Sequence, residues 1–229
     1  MKQKINLNKP SNVVVSLSAN NENIHFVGKD EMNVFFNRER TITGTDEVNF
    51  YLPLFPKKLE LEITGKFDFI KYEIKELKTY PIILDSKTIA FVNFITNFCI
   101  KTPKLKTGIY KFEGFQIEYL KRIPFANTPA RIHKQKNYIQ IDRNIWLKST
   151  VPARVLILLH EYAHNNLNED KDSEQEADEN ALNIFLALGY PRIEAINAFL
   201  RILNANKTNI ERLENIYQTI DKFEQKWIN

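Results

Sequence analysis

The sequence predicts an α+β protein in which an N-terminal antiparallel β-sandwich is followed by an α/β domain with a helical C-terminal half. Three observations support this prediction. Short β-branched or aromatic runs fill the first 79 residues, and no helical stripe interrupts them. One helical stripe and two hairpin patterns follow up to residue 150, and apolar residues then recur at helical spacing to residue 223. We therefore divide the chain into residues 1–79, a β-sandwich-like attachment module, and residues 80–229.

The strands predicted in the attachment module are short and closely spaced, which favours a sandwich or a flattened barrel. Turn-forming residues separate them, as in AlaAsnAsnGluAsn at 19–23 and ProLysLys at 56–58. A module of this size exposes edge strands and loops, where a partner subunit can add. The predicted strands are residues 12–18, 24–27, 33–36, 40–43, 48–52 and 59–64, with 67–75 as a further candidate.

In the second part of the chain, Ser86 can cap a helix that ends before Pro103. Two hairpins are predicted next, the first of which turns on the pair Glu113-Gly114. Four helices are predicted from residue 151 onwards. The hairpin strands are residues 109–112 with 115–120, and residues 130–133 with 138–142.

Composition excludes several classes of protein. The chain of 229 residues has a formal net charge of +4 with both signs interspersed, so no basic run argues for nucleic acid as a partner. No stretch of about 18 apolar residues predicts a membrane span. The first residues lack the pattern of a signal peptide, and Cys99, the single cysteine, excludes an intrachain disulfide. We expect a protein of the cytoplasm or of a virion, not one secreted by a signal peptide.

The residues HisGluTyrAlaHis at 160–164 form an HExxH motif. On a helix, His160 and His164 are four residues apart and lie on one face, so both imidazoles can reach one ion. Glu161 lies beside them, where it can take a proton from the attacking water. The surroundings are helical, because Pro152 suits a first turn and an apolar stripe follows it.

A second helix predicted from Ser173 supplies the third ligand. Ser173 and Glu176 have the spacing of a capping box, which explains Glu176 without a role at the metal. Glu174 and Asp178 share a face with small alanines, which allows close approach to the HExxH helix. We therefore expect Glu174 to bind the ion and Asp178 to hydrogen-bond an imidazole of His160 or His164. For Glu174 the alternative is a first-turn acid that interacts with the helix dipole.

Asp170 is a rival third ligand. It follows His164 by six residues, which is the spacing of the metzincin pattern with aspartate as the third ligand. That pattern requires a glycine for a sharp backbone turn, and this chain has Leu167 there. The spacing therefore leaves Asp170 as the weaker alternative to Glu174.

HExxH followed by ExxxD resembles the gluzincin branch of the zinc metallopeptidases, and the resemblance covers roughly residues 135–223. It implies a zincin-like metallopeptidase domain over residues 80–229, with Zn²⁺ as cofactor and polypeptides as substrates. It further implies His160, His164 and Glu174 as ligands and Glu161 as general base. The strand before the active helix, residues 138–142, would line the cleft and pair with extended substrate.

The sequence does not identify the residue that would donate a hydrogen bond to the transition state. Spacing identifies none of the candidates, and a structural role is the alternative for each of them. The candidates are His133, Tyr190, Arg192 and Arg212.

A small HExxH chain with a β module and many Ile, Asn and Lys residues also resembles zincin-like proteins encoded among the structural genes of bacteriophages of Bacteroides-type hosts, the crAss-like phages. This resemblance implies a second function, that of a virion structural or assembly subunit in the tail or ring. Its partners would be other virion proteins, and proteolysis would not be essential. The intact Glu161 favours the peptidase, because a purely structural ion needs no base.

Overall fold

The computed structural model describes residues 1–133, 135–202 and 207–227, and no side chain at 201, 202, 207 or 208. The chain forms two compact units, residues 1–79 with 150–152 and residues 80–149 with 153–229. In these described parts there are six α-helices, one antiparallel sheet and one mixed sheet, so the predicted α+β class is confirmed. None of the described helices is long and apolar enough to cross a membrane.

The first unit contains one five-stranded antiparallel sheet. Strands β2 and β3 form a long hairpin, and the other edge of β2 pairs with β5 in its first half and with β4 in its second half. Strand β1 pairs with β4. The strands are β1 (Lys2–Asn6), β2 (Ser11–Lys29), β3 (Val34–Leu52), β4 (Lys58–Thr64) and β5 (Asp68–Glu76).

The prediction of many short strands was wrong for this hairpin. Residues 19–23, predicted to be a turn, lie inside β2, and the three short strands predicted between 33 and 52 are one strand. Asn21 has a φ of 54°, and the pairing register shifts between Asn20 and Glu22. A β-bulge with one residue in the left-handed region explains this, because Asn tolerates that conformation and β3 keeps pairing on both sides. The hydrogen bonds define one sheet, and the two-sheet sandwich stays a prediction.

The core of the first unit is aromatic and aliphatic. The Phe50 ring stacks on Phe36 with centroids 4.2 Å apart and lies 5.3 Å from Phe26. Gly28 faces Phe36 across the hairpin, and a Cβ at Gly28 would lie 2.2 Å from the Phe36 ring. Glycine is therefore required here so that the ring can cover the backbone.

The second unit packs helices with a four-stranded sheet of order β6-β7-β9-β8. Strands β7 and β9 are parallel, the other two pairs are antiparallel, and β8 is at an edge. Its strands are β6 (Gly108–Phe112), β7 (Phe115–Leu120), β8 (Ala130–His133) and β9 (Tyr138–Asp142). Its helices are α1 (Ser86–Lys101), α2 (Arg143–Trp146), α3 (Val151–Asn166), α4 (Glu174–Ala187), α5 (Arg192–Ile202) and α6 (Lys207–Trp227).

Both hairpins and the long helices predicted for this unit are confirmed. Glu113 and Gly114 have φ values of 42° and 87°, which is the pair of left-handed residues that a tight hairpin turn needs. The cap of α1 differs from the prediction. Asp85 rather than Ser86 is the N-cap, and its side chain accepts a hydrogen bond from Thr88 N–H at 2.8 Å. A carboxylate also interacts favourably with the helix dipole.

Helix α3 is held in place by one aromatic and one basic side chain. Tyr162 stacks on Phe91 of α1 with ring centroids 4.0 Å apart, and its hydroxyl lies 3.2 Å from Thr88 Oγ1. The buried Arg154 guanidinium donates to the carbonyls of Trp146, Leu147 and Cys99. These contacts satisfy carbonyls at helix ends and fix the helix that carries HExxH.

Candidate metal centre

His160 and His164 lie one turn apart on α3, with their Nε2 atoms 3.3 Å from each other. The imidazole rings are nearly perpendicular, with centroids 4.8 Å apart. His164 is buried, and the His160 side chain is only 13% exposed. The predicted helical spacing therefore does bring two imidazole nitrogens to one point.

Glu174, the first residue of α4, completes the group. Its Oε2 lies 3.4 Å from His160 Nε2, and its Oε1 lies 3.4 Å from His164 Nε2. The ligand atoms of the three residues all lie within 4.8 Å of one another, so the group could hold a metal ion. The Glu174 side chain is about half exposed, so the ion would be open to solvent on one side.

A short, tightly bonded loop places Glu174 only ten residues after His164. Ser173 caps α4 by accepting from the N–H of Glu176, as predicted from the capping box. The Glu176 carboxylate does not close the box on Ser173. It accepts from the N–H groups of Glu169 and Asp170, at 2.8 and 3.2 Å. The loop is therefore fixed by its own hydrogen bonds, which brings the start of α4 back to α3.

Each imidazole has a partner on its second nitrogen. His164 Nδ1 lies 2.9 Å from the carbonyl oxygen of Lys171, which can only accept, so Nδ1 carries the proton. His160 Nδ1 lies 2.8 Å from Asp178 Oδ1, although off the direction of a straight hydrogen bond. In the neutral form of each ring with the proton on Nδ1, Nε2 keeps a lone pair that faces the other two residues of the group. Asp178 therefore lies next to His160 rather than His164, and the hydrogen bond expected between Asp178 and an imidazole stays a prediction.

Two imidazole nitrogens and one carboxylate form a donor set of the type that zinc prefers. The electrostatics agree with a cation site. Burial opposes protonation of His160, but Asp178, Glu174 and Glu161 outweigh it and raise the pKa of His160 to about 9. The two histidines and Arg212 hold the pKa of Glu174 well below its usual range. The residues therefore fit a divalent metal ion, which would replace the proton on His160.

Arg212 of α6 joins the group from the side. Its Nε and Nη2 donate to the two oxygens of Asp178, at 2.8 Å for Nη2, and its Nη1 lies 2.9 Å from Glu174 Oε2. A guanidinium that binds two carboxylates in this way fixes both. Of the four candidate donors, Arg212 is the one that contacts the metal group.

The other three candidates are engaged elsewhere. Arg192 pairs with Glu224 at 2.7 Å, and the His133 ring packs on Tyr138 with centroids 4.9 Å apart. Tyr190 is buried and stacks on Phe185, with ring centroids 4.3 Å apart. None of these three contacts involves a residue of the metal group.

Asp170 lies outside the metal group that the described residues form. It is exposed, and its Oδ1 accepts from the N–H of Asp172 at 2.9 Å. The N–H of Leu167 still donates to Ala163, so the chain continues the helical turn where the metzincin pattern requires a sharp bend. Among the described residues, Glu174 rather than Asp170 is therefore the carboxylate that lies with the two histidines.

Glu161 lies between the metal group and the sheet. Its Oε2 accepts a hydrogen bond from the backbone N–H of Ile132 in β8, with a distance of 2.6 Å. Burial raises the pKa of Glu161, and the neighbouring His160 and His164 limit the rise. A partly buried carboxylate with a raised pKa is suited to taking up and returning a proton near neutral pH.

A cavity of about 310 Å³ opens in front of these residues. Its walls come from the β8 strand and the segment before it, from α3, and from Phe199 and Arg212. The expectation that residues 138–142 pair with substrate was wrong, because β9 is bonded to β7 on one side and to β8 on the other. β8 is an edge strand instead, because β9, the strand nearest in sequence to α3, lies inside the sheet between β7 and β8.

The backbone groups of the site were not predicted from the sequence, and Arg212 was not distinguished from the other three candidate donors. The Ile132 N–H and the Lys171 carbonyl carry no sequence signal, because every residue has them. Arg212 does have one. It lies four residues before the buried Ile216 on α6, followed at helical spacing by the buried Ile220 and Phe223. A charged residue on the apolar stripe of a helix indicates a buried partner.

Comparison of this chain with family models, with curated proteins and with solved structures found no match. The assignment of a function therefore depends on the geometry of the site itself.

Proposed function

We propose that this chain is a zinc-dependent peptidase of the gluzincin type that cleaves polypeptides. One observation carries the proposal. The donor atoms of His160, His164 and Glu174 converge next to the partly buried carboxylate of Glu161, at the wall of a cavity bounded by an edge strand. A site that served only to fold the chain would need neither the base nor the cavity.

Each residue then has a defined task. His160, His164 and Glu174 would hold the ion, and zinc, when bound, supplies Lewis-acid chemistry that lowers the pKa of water and polarises a carbonyl. Glu161 takes a proton from the attacking water and returns it to the leaving amine. Asp178 orients His160, and Arg212 is a positioning residue that fixes Asp178 and Glu174.

Strand β8 suggests an extended polypeptide as the substrate. The N–H of Asp142 donates to the Pro129 carbonyl, and Ala130 pairs with Ile141. In an antiparallel pair this makes Ala130 and Ile132 the residues whose backbone polar groups point away from β9. An extended chain can therefore add along β8 by strand pairing, which recognises the backbone of any sequence.

The test is Glu161→Gln. Glutamine keeps the size of the side chain but cannot accept the proton, so we expect cleavage of an unfolded protein to be lost and zinc to be retained. Glu169→Gln on the exposed loop is the matched control, with unchanged activity and zinc content. Equal cleavage by Glu161→Gln and wild type, or loss of zinc from the variant, would contradict the assignment.

A second candidate function is a structural or assembly subunit of a phage particle. It is favoured by β5, which pairs with β2 and exposes Phe69, Ile70 and Ile74, a surface suited to a partner subunit. Here the first unit would attach the chain and the metal group would serve folding. Normal incorporation of the Glu161→Gln protein into particles, together with no hydrolysis by zinc-loaded wild type, would favour this function over the peptidase.

A further inference from the structure

The backbone N–H of Ile132 has two possible acceptors in the proposed peptidase. It is one of the outward-pointing groups of β8, to which an extended polypeptide would bind. It is also the donor to Glu161 Oε2, at 2.6 Å. The Ala130 carbonyl, on the same side of the strand, is bound by the hydroxyl of Thr128 at 2.8 Å. The edge of β8 is therefore partly occupied by the chain's own side chains.

We propose that Glu161 is an internal occupant of this edge, and that an extended polypeptide displaces it from the Ile132 N–H when it pairs with β8. Strand pairing then releases the base at the moment when a substrate is in place. This inference rests on the proposed function, which supplies both the substrate class and the role of Glu161. It adds a coupling between binding and the availability of the base.

The Ile132 N–H is hydrogen-bonded in both states, either to Glu161 or to a polypeptide. The Ile132 N–H is partly buried and its present acceptor is a carboxylate, so the carboxylate keeps its place until a competing set of acceptors and donors arrives. A hydrogen bond to a charged acceptor is stronger than one to a neutral carbonyl, so a single peptide carbonyl does not win alone. A longer chain also bonds the Ala130 N–H and the Ile132 carbonyl, and these additional bonds favour displacement. Chains too short to reach β8 leave Glu161 bound.

The alternative is that the Ile132 N–H holds Glu161 permanently in its working position. The two models differ in what happens when Glu161 is removed. If Glu161 occupies the edge, its removal frees a donor for the polypeptide and tightens binding. If it is only held in position by the strand, binding of a polypeptide elsewhere in the cavity is unchanged.

The experiment measures binding of fluorescein-labelled oxidised insulin B chain, an unstructured polypeptide, to zinc-loaded protein by fluorescence anisotropy. Glu161→Ala leaves the Ile132 N–H without its side-chain acceptor. Glu161→Gln also removes the negative charge, but its amide carbonyl can still accept the hydrogen bond from the Ile132 N–H. We expect Glu161→Ala to bind about threefold to tenfold more tightly than Glu161→Gln, the effect of one hydrogen bond.

The same comparison in an Ile132→Pro background should show no difference, because proline has no N–H to compete for. Proline is tolerated here since this N–H does not bond to β9. Equal or weaker binding by Glu161→Ala, a difference that persists with Ile132→Pro, or no binding by any variant would overturn the inference. If Ile132→Pro does not fold, the comparison of the two Glu161 variants decides.

Failure of this inference differs from failure of the proposed function. Zinc-dependent cleavage by wild type that is lost in Glu161→Gln, without a gain for Glu161→Ala, overturns only the coupling. A gain for Glu161→Ala without cleavage by wild type overturns the peptidase and leaves a polypeptide-binding edge occupied by Glu161.

Discussion

Asp178 of α4 lies next to His160 and binds Arg212, and its replacement by alanine tests whether it orients the metal group. The residue is 3% exposed. Its carboxylate lies 2.8 Å from His160 Nδ1 and accepts from both Nε and Nη2 of Arg212. The substitution therefore removes the acceptor that orients one ligand. It also removes the main partner of a guanidinium that is only 20% exposed.

The expected changes in zinc affinity and in the free energy of unfolding follow from these two losses. Removing the partner that orients a ligating imidazole typically weakens metal binding about 10–100-fold, or about 1.4–2.7 kcal/mol. Removing one member of a buried ion pair destabilises the fold by about 3–5 kcal/mol. Because Arg212 keeps its contact with Glu174, we expect the lower value, about 3 kcal/mol, for the metal-free protein. Arg212→Met in the Asp178→Ala background should recover part of it, since no unpaired charge remains.

Zinc affinity is measured by competition with a chromophoric chelator, and stability by urea unfolding of the metal-free protein. Asp170→Ala, an exposed carboxylate outside the group, is the matched control and should change zinc affinity by less than about twofold. The reasoning is refuted if folded Asp178→Ala binds zinc as tightly as the control. It is equally refuted if Arg212→Met destabilises the Asp178→Ala protein further.

Three more predictions concern the ligands, the pH dependence and the division of the chain. Glu174→Gln should lower zinc affinity more than Asp170→Asn, and a zinc-bound structure should have a Glu174 oxygen about 2.0–2.2 Å from the ion; zinc on Asp170 would contradict this. Since the pKa of His160 is raised to about 9, zinc must displace a proton below that pH, so zinc affinity in chelator competition should rise about tenfold from pH 7 to 8 and then level off as the pH passes 9; a flat profile would contradict it. The raised pKa of His160 also stabilises the metal-free protein. This stabilisation is complete below pH 6.5 and is lost as the pH rises through 9. Finally, if residues 1–79 are an attachment module, a fragment of residues 80–229 should bind zinc normally but no longer bind a partner subunit, whereas an insoluble fragment would show that residues 1–79 are needed for folding.

The sequence by itself determined the local features of this protein. The spacing of His160 and His164, the cap at Ser173 and the turn at Glu113-Gly114 depend on residues within one or two helical turns, or within one hairpin. Short-range stereochemistry is the same in any protein, so these features were predicted correctly. The position of Glu174 next to the two histidines was also predicted, because the small residues on its helix face indicate close packing of two helices; its role as a metal ligand stays a prediction.

The tertiary structure decided what depends on distant parts of the chain. Whether residues 19–23 turn or continue as a strand depends on the pairing that β3 offers, and a bulge at Asn21 allowed it to continue. The order of strands put β8 rather than β9 at the edge, and so gave Ile132 its contact with Glu161. Arg212 reaches Asp178 from 34 residues away. Backbone donors and long-range ion pairs have no local signature, because they arise only when the chain folds and excludes water around them.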